Sequence, residues 1–129
     1  MGYESRVYAM NRVELECRNG SKVPIGCEVA RFEVFAWSYS DMVDSWTSLF
    51  NAPVDYDLPD EGADGWRTDC YGIECRAADV ETVREWLKRF FSLRTKIDEW
   101  PRAWAFLCWL DAIRGTECAD GLQLVEWGH

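Results

Sequence analysis

Alternation of apolar and polar positions marks both ends of this chain. Tyr3, Ser5, Val7 and Ala9 alternate with Glu4, Arg6, Tyr8 and Met10, the period-two pattern of a strand with two unlike faces. Val13, Leu15 and Cys17 set against Glu14, Glu16 and Arg18 read as a second strand or a continuation of the first. Asn19-Gly20 then supplies the positive-φ residues of a tight turn. Cys27 to Trp37, rich in Val, Phe and Trp, alternates again and predicts a strand. Leu122 to Trp127, after Asp120-Gly121, predicts a short closing strand.

The middle of the chain switches to helical spacing. Ser40 or Asp41 is placed to cap a short helix through about Phe50, with Met42, Val43, Trp46 and Phe50 as its apolar stripe. Asp79 caps a helix from Val80 to about Leu93, on which Val83, Leu87, Phe90 and Phe91 form a broad stripe and Arg84, Lys88 and Arg89 the outward face. A last helix starts near Pro101, whose missing N–H costs nothing in a first turn, and ends before Gly115. Trp100, Ala103, Leu107 and Leu110 line one side of it, and Trp104, Phe106 and Trp109 make it apolar almost all round. Such a helix belongs in the middle of a domain. Asn51 to Gly65 reads as a loop with Val54, Tyr56 and Leu58 as its only apolar alternates, and Trp66 to Ala77 as extended.

These elements predict an α+β fold: an antiparallel or mixed sheet of about four to five strands, packed on one face by two long helices, with one short helix besides. At 129 residues, without a repeat or a linker, residues 1–129 form a single domain. Aromatics make up 15% of the chain, with eight Trp, so a few rings supply much of the core and any left outside mark an interface.

Charge narrows the partners. The net charge of -9 disfavours nucleic acid and anionic membrane, whose binding draws on Lys and Arg. No Lys or Arg occurs between Arg31 and Arg67, whereas Glu33, Asp41, Asp44, Asp55, Asp57, Asp60, Glu61 and Asp64 do. The most apolar run, Ala103 to Leu110, is too short to span a bilayer. Six cysteines, at 17, 27, 70, 75, 108 and 118, form an even set. Met1 to Met10 is polar and alternating, with no basic stretch leading into an apolar run, so the thiols are expected to be reduced, mostly buried and cytoplasmic.

Chemistry is sparse. The sole histidine, His129, is the last residue, and no catalytic residue is assigned. Cys70 and Cys75, or Cys108 and Cys118, lack the close spacing of zinc ligands, and Cys108 falls in the helix expected to be buried. Asp55-Tyr56-Asp57 imitates the start of a calcium loop but puts Asp60 where glycine is required and Trp66 where the bidentate acid belongs. No glycine-rich phosphate loop occurs. The basic set Arg84, Lys88, Arg89, Arg94 and Lys96 reads as a solvated helix face, and neither cofactor nor metal is expected.

Gly2-Tyr3-Glu4-Ser5-Arg6 with Tyr8, Asp69-Cys70-Tyr71-Gly72, and Leu124-Val125-Glu126-Trp127-Gly128-His129 together resemble a set of small bacteriophage and prophage proteins. Members of that set begin MGYESR, carry D-x-Y-G near the middle and end on a strand finishing in Gly-His or Gly-Tyr. The resemblance implies a phage origin and a bacterial cytoplasm, and favours an inhibitor directed at the host. The acid-rich Asp55 to Asp64 and the many Trp depart from the pattern.

The expectation is a non-enzymatic acidic protein that docks on the basic groove of a nucleic-acid-handling host protein, such as a defence effector. Asp55, Asp57, Asp60, Glu61 and Asp64 would supply charge, and Tyr56, Leu58 and Trp66 the anchors. Two alternatives stand beside it: a ligand-binding domain or enzyme with a pocket between sheet and helices, and an assembly component that self-associates through an exposed apolar surface.

Overall fold

In the computed structural model, residues 2–38, 41–56, 58, 75–92 and 97–128 are described. The strands are β1 (Gly2–Glu16), β2 (Lys22–Ser38), β3 (Arg76–Asp79) and β4 (Leu122–Gly128); the helices are α1 (Asp41–Thr47), α2 (Val80–Ser92) and α3 (Pro101–Ile113). The strands form one sheet in the order β2-β1-β4-β3, every neighbour antiparallel. The fold is α+β.

β1 runs unbroken through both alternating stretches and turns into β2 at Asn19-Gly20, where Gly20 takes a φ of 84°. β2 begins at Lys22, five residues before the alternation that predicts it. Residues 22–26 pair with β1 but lie beyond the helices, so backbone pairing extends the strand without the burial that produces a two-faced pattern. Of the stretch expected to be extended, Trp66 to Glu74 lies outside the described residues, and Arg76 and Ala77 belong to β3.

Odd positions of β1 face the helices. Val7, Ala9 and Leu124 are fully buried there beneath α1, α2 and α3. Phe35, Trp46, Trp86 and Phe90 pack ring against ring, Trp86 and Phe90 stacked at 5.3 Å and Trp46 against Trp86 at 5.0 Å. Asp79 caps α2 as its position predicts: its Oδ1 accepts the Thr82 N–H at 2.7 Å. Arg84 is not on an outward face; it is buried between α2 and α3, where its guanidinium donates to Asp111 and Glu85.

The opposite face of the sheet is also covered. Val54, Tyr56 and Leu58 point inward onto Tyr8, Met10, Ala77 and Val125, closing a second, smaller core. This strap is tied to the outer edge of β3 by paired backbone bonds, Ala52 N–H to Ala77 O at 3.0 Å and the reverse at 2.9 Å.

The cysteines correct one expectation. Among the five described, Cys75 is buried, whereas Cys17, Cys27, Cys108 and Cys118 are exposed. Cys108 is exposed because α3 turns Ala103, Phe106, Leu107 and Leu110 to the sheet, which leaves Cys108 on the far side.

Candidate functional site

The acid-rich segment begins on the strap. Asp55 points away from the sheet and is held by Arg12 of β1, whose Nε and Nη2 donate to its two carboxylate oxygens at 2.9 Å and 2.7 Å. The Tyr56 ring packs against Gly26 of β2, so close that a Cβ on Gly26 would stand 2.2 Å from it. Its hydroxyl donates to Gln123 of β4 at 2.6 Å. Burial first, and the Asp55 charge after it, pushes this phenol up to about 12.

Tyr56 and Leu58 are each 3% exposed, which removes them as surface anchors. Their period-two spacing points them inward and leaves Asp55 outward, so the apolar members are consumed by the chain's own core. Asp57, Asp60, Glu61, Asp64 and Trp66 lie outside the described residues, as do Asp69 to Gly72, Arg94, Lys96 and His129. The flanking described residues are firmly placed: Leu58 and Cys75 are both buried in the strap-side core.

A second constellation joins the two ends of the chain. The Tyr3 hydroxyl and the Ser5 hydroxyl each donate to Glu126 Oε2 at 2.6 Å, and Trp46 Nε1–H of α1 donates to Ser5 Oγ at 2.8 Å. Ser5 and Glu126 are buried. Burial raises the Glu126 carboxyl above its ordinary value, and the donors Ser5, Tyr3 and Trp46 oppose that rise without cancelling it. Gly128 fits the same site: a Cβ there would stand 2.0 Å from the Tyr3 hydroxyl oxygen.

The residues of this network belong to the two terminal motifs, yet their convergence is not legible in the motifs themselves. A signal was present in the alternation. Ser5 interrupts the apolar series Tyr3, Val7, Ala9, and Glu126 interrupts Leu122, Leu124; a polar side chain at a core position of a strand requires a hydrogen-bond partner opposite. The arrangement can hold a proton on a buried carboxyl and fix α1 to the sheet. Among the described residues, the hydrogen-bond partners of the Ser5 hydroxyl are Glu126 and Trp46.

Beside it, β2 bulges at Val34, the extra residue between the pairs Ser5–Phe35 and Arg6–Glu33. A cavity of about 220 Å³ opens at that bulge, with Ser5, Arg6, Glu33, Arg102 and Trp127 among its walls. Glu33 bridges two guanidiniums across it, Arg102 at 2.7 Å and Arg6 at 3.6 Å, so the charged groups there largely satisfy one another. No group of His, Cys, Asp and Glu with metal-ligand geometry occurs among the described residues. Likewise, no described helix is long and apolar enough to cross a membrane. No protein-family model matches the chain, and neither a curated protein nor a solved structure matches it.

Proposed function

We propose that this protein is a non-enzymatic binding protein whose acid-rich segment, Asp55 to Asp64, docks on a basic groove of a nucleic-acid-handling host protein and inhibits it. The observation that carries the reading is the charge pattern: five acids within that segment, and no Lys or Arg from position 32 to 66. Such a ridge speeds encounter with a basic partner and rejects acidic ones. Support also comes from its mounting. Asp55 is clasped by Arg12, and Leu58 and Cys75 are buried in one core.

The burial of Tyr56 and Leu58 changes the expected energetics. With those side chains committed inward, binding rests on charge and on Trp66, and is therefore strongly weakened by salt. The test is capture from bacterial lysate at low and high salt. Changing Asp57, Asp60, Glu61 and Asp64 to Lys should abolish capture while the far-ultraviolet spectrum stays the same. Unchanged capture by that variant overturns the reading.

A further inference from the structure

The end of the β1–β2 hairpin projects past the helices with an apolar side. Val13 pairs with Ile25 and Leu15 with Val23, so these four share one face. Both register shifts place their extra residue on β2, so β1 alternates without a break and this face continues the one on which Val7 and Ala9 are buried. Arg12 turns to the other side, where it meets Asp55. Val13, Leu15 and Val23 are three of the six large apolar side chains left exposed among the described residues.

Charge is divided along the same hairpin. Its tip, residues 17–22, carries Arg18 and Lys22 and no acid. At its base stands the connection from α3 to β4. α3 runs from Trp100, against Phe35, to Trp109, against Phe32, and so points toward the hairpin. Leu122, where β4 begins, pairs with Asn11. The connection carries Glu117 and Asp120, both exposed. None of these four charged side chains has an ion-pair partner among the described residues.

We propose that the apolar face of the hairpin docks on the same face of a second copy of this chain, with the tip of each hairpin over the base of the other. A two-fold axis between two such ribbons allows two arrangements. An axis along the strands sets tip on tip, and Arg18 and Lys22 then meet their own counterparts. An axis across the strands, at the Glu14–Pro24 pair, sets tip on base. Val13 and Ile25 of one copy then pack on Leu15 and Val23 of the other, at the spacing of about 10 Å between stacked sheets. Arg18 lies four residues beyond the axis, about 13 Å at the rise of a strand, which brings it over the other copy's Glu117 and Asp120. A second copy therefore offers both an apolar face and the acids that the basic tip lacks within its own chain.

Light scattering and sedimentation on the full chain, under reducing conditions across the micromolar range, test the pairing. A dimer is expected. Within a single chain Leu15 and Val23 are surface side chains, so Leu15→Thr with Val23→Thr should spare the fold of the dilute chain, seen as an unchanged far-ultraviolet spectrum, and weaken the dimer at least about tenfold. Reversing the tip, by Arg18→Glu with Lys22→Glu, or the base, by Glu117→Lys with Asp120→Lys, should weaken self-pairing to a similar degree. Mixing the tip-reversed and base-reversed chains should restore a dimer, because each tip then meets a base of opposite charge. A chain that stays monomeric, a dimer indifferent to the two threonines, or reversed chains that fail to pair when mixed each overturns the proposal.

Discussion

The two faces of the sheet are closed by different means. On one, three helices bring whole stripes of side chains onto Val7, Ala9 and Leu124, and the aromatic rings of β2, α1 and α2 lock among them. On the other, the strap covers Tyr8, Met10 and Val125 with three inward residues, Val54, Tyr56 and Leu58. A helical layer spreads its burial over many contacts, whereas the strap concentrates it in a few keyed positions. Each keyed position therefore matters more to the local structure than its surroundings suggest.

Changes that attack each face separately test this contrast. The largest effect is expected from Trp46→Ala: Trp46 is fully buried and also donates to Ser5, so stability should fall by about 3–5 kcal/mol in denaturant unfolding. On the strap side, Gly26→Val meets the Tyr56 ring and should cost about 1–3 kcal/mol. Protease cleavage after that change should fall first within the strap, with the helices still protected. Cleavage that appears everywhere at once would show the two faces to be a single cooperative unit.

The Glu126 network sharpens the comparison on the helical side. Glu126→Ala leaves two buried hydroxyls without their acceptor, a loss of about 1–3 kcal/mol, whereas Glu126→Gln keeps an oxygen in place and should lose less. Protonation separates them further. Because the folded chain holds the Glu126 proton above the ordinary value of 4.5, it binds that proton more tightly than the unfolded chain does. The stability linked to this group is therefore full below pH 4.5 and is lost as pH rises through the folded value. Glu126→Gln should flatten that decline in thermal unfolding followed against pH; an unchanged profile would mean that Glu126 does not cause it.

The smallest effect belongs to the far end of the β1–β2 ribbon. Val13, Leu15 and Val23 are 42%, 54% and 45% exposed, so Leu15→Thr should shift stability by no more than about 0.5 kcal/mol. A larger loss would place a covering partner on that face.

Much of this molecule was legible from spacing alone. Period two marked β1 and β4, Asp79 and Pro101 marked two helix starts, and Asn19-Gly20 marked the hairpin, because turns and caps depend on a few adjacent residues. Arg84 shows where that reading stops: helical spacing assigned it outward, and only the packing of α3 revealed Asp111 waiting across the interface. The acid-rich segment divides in the same way. Its charge is a property of composition, readable without coordinates. That Asp55 is clasped by Arg12, that Tyr56 is buried on Gly26, and that Tyr3, Ser5 and Glu126 meet from opposite ends of the chain depended on contacts between residues 30 to 123 positions apart. Such contacts leave no periodic trace, because they are set by how the sheet orders its strands and which face each element covers.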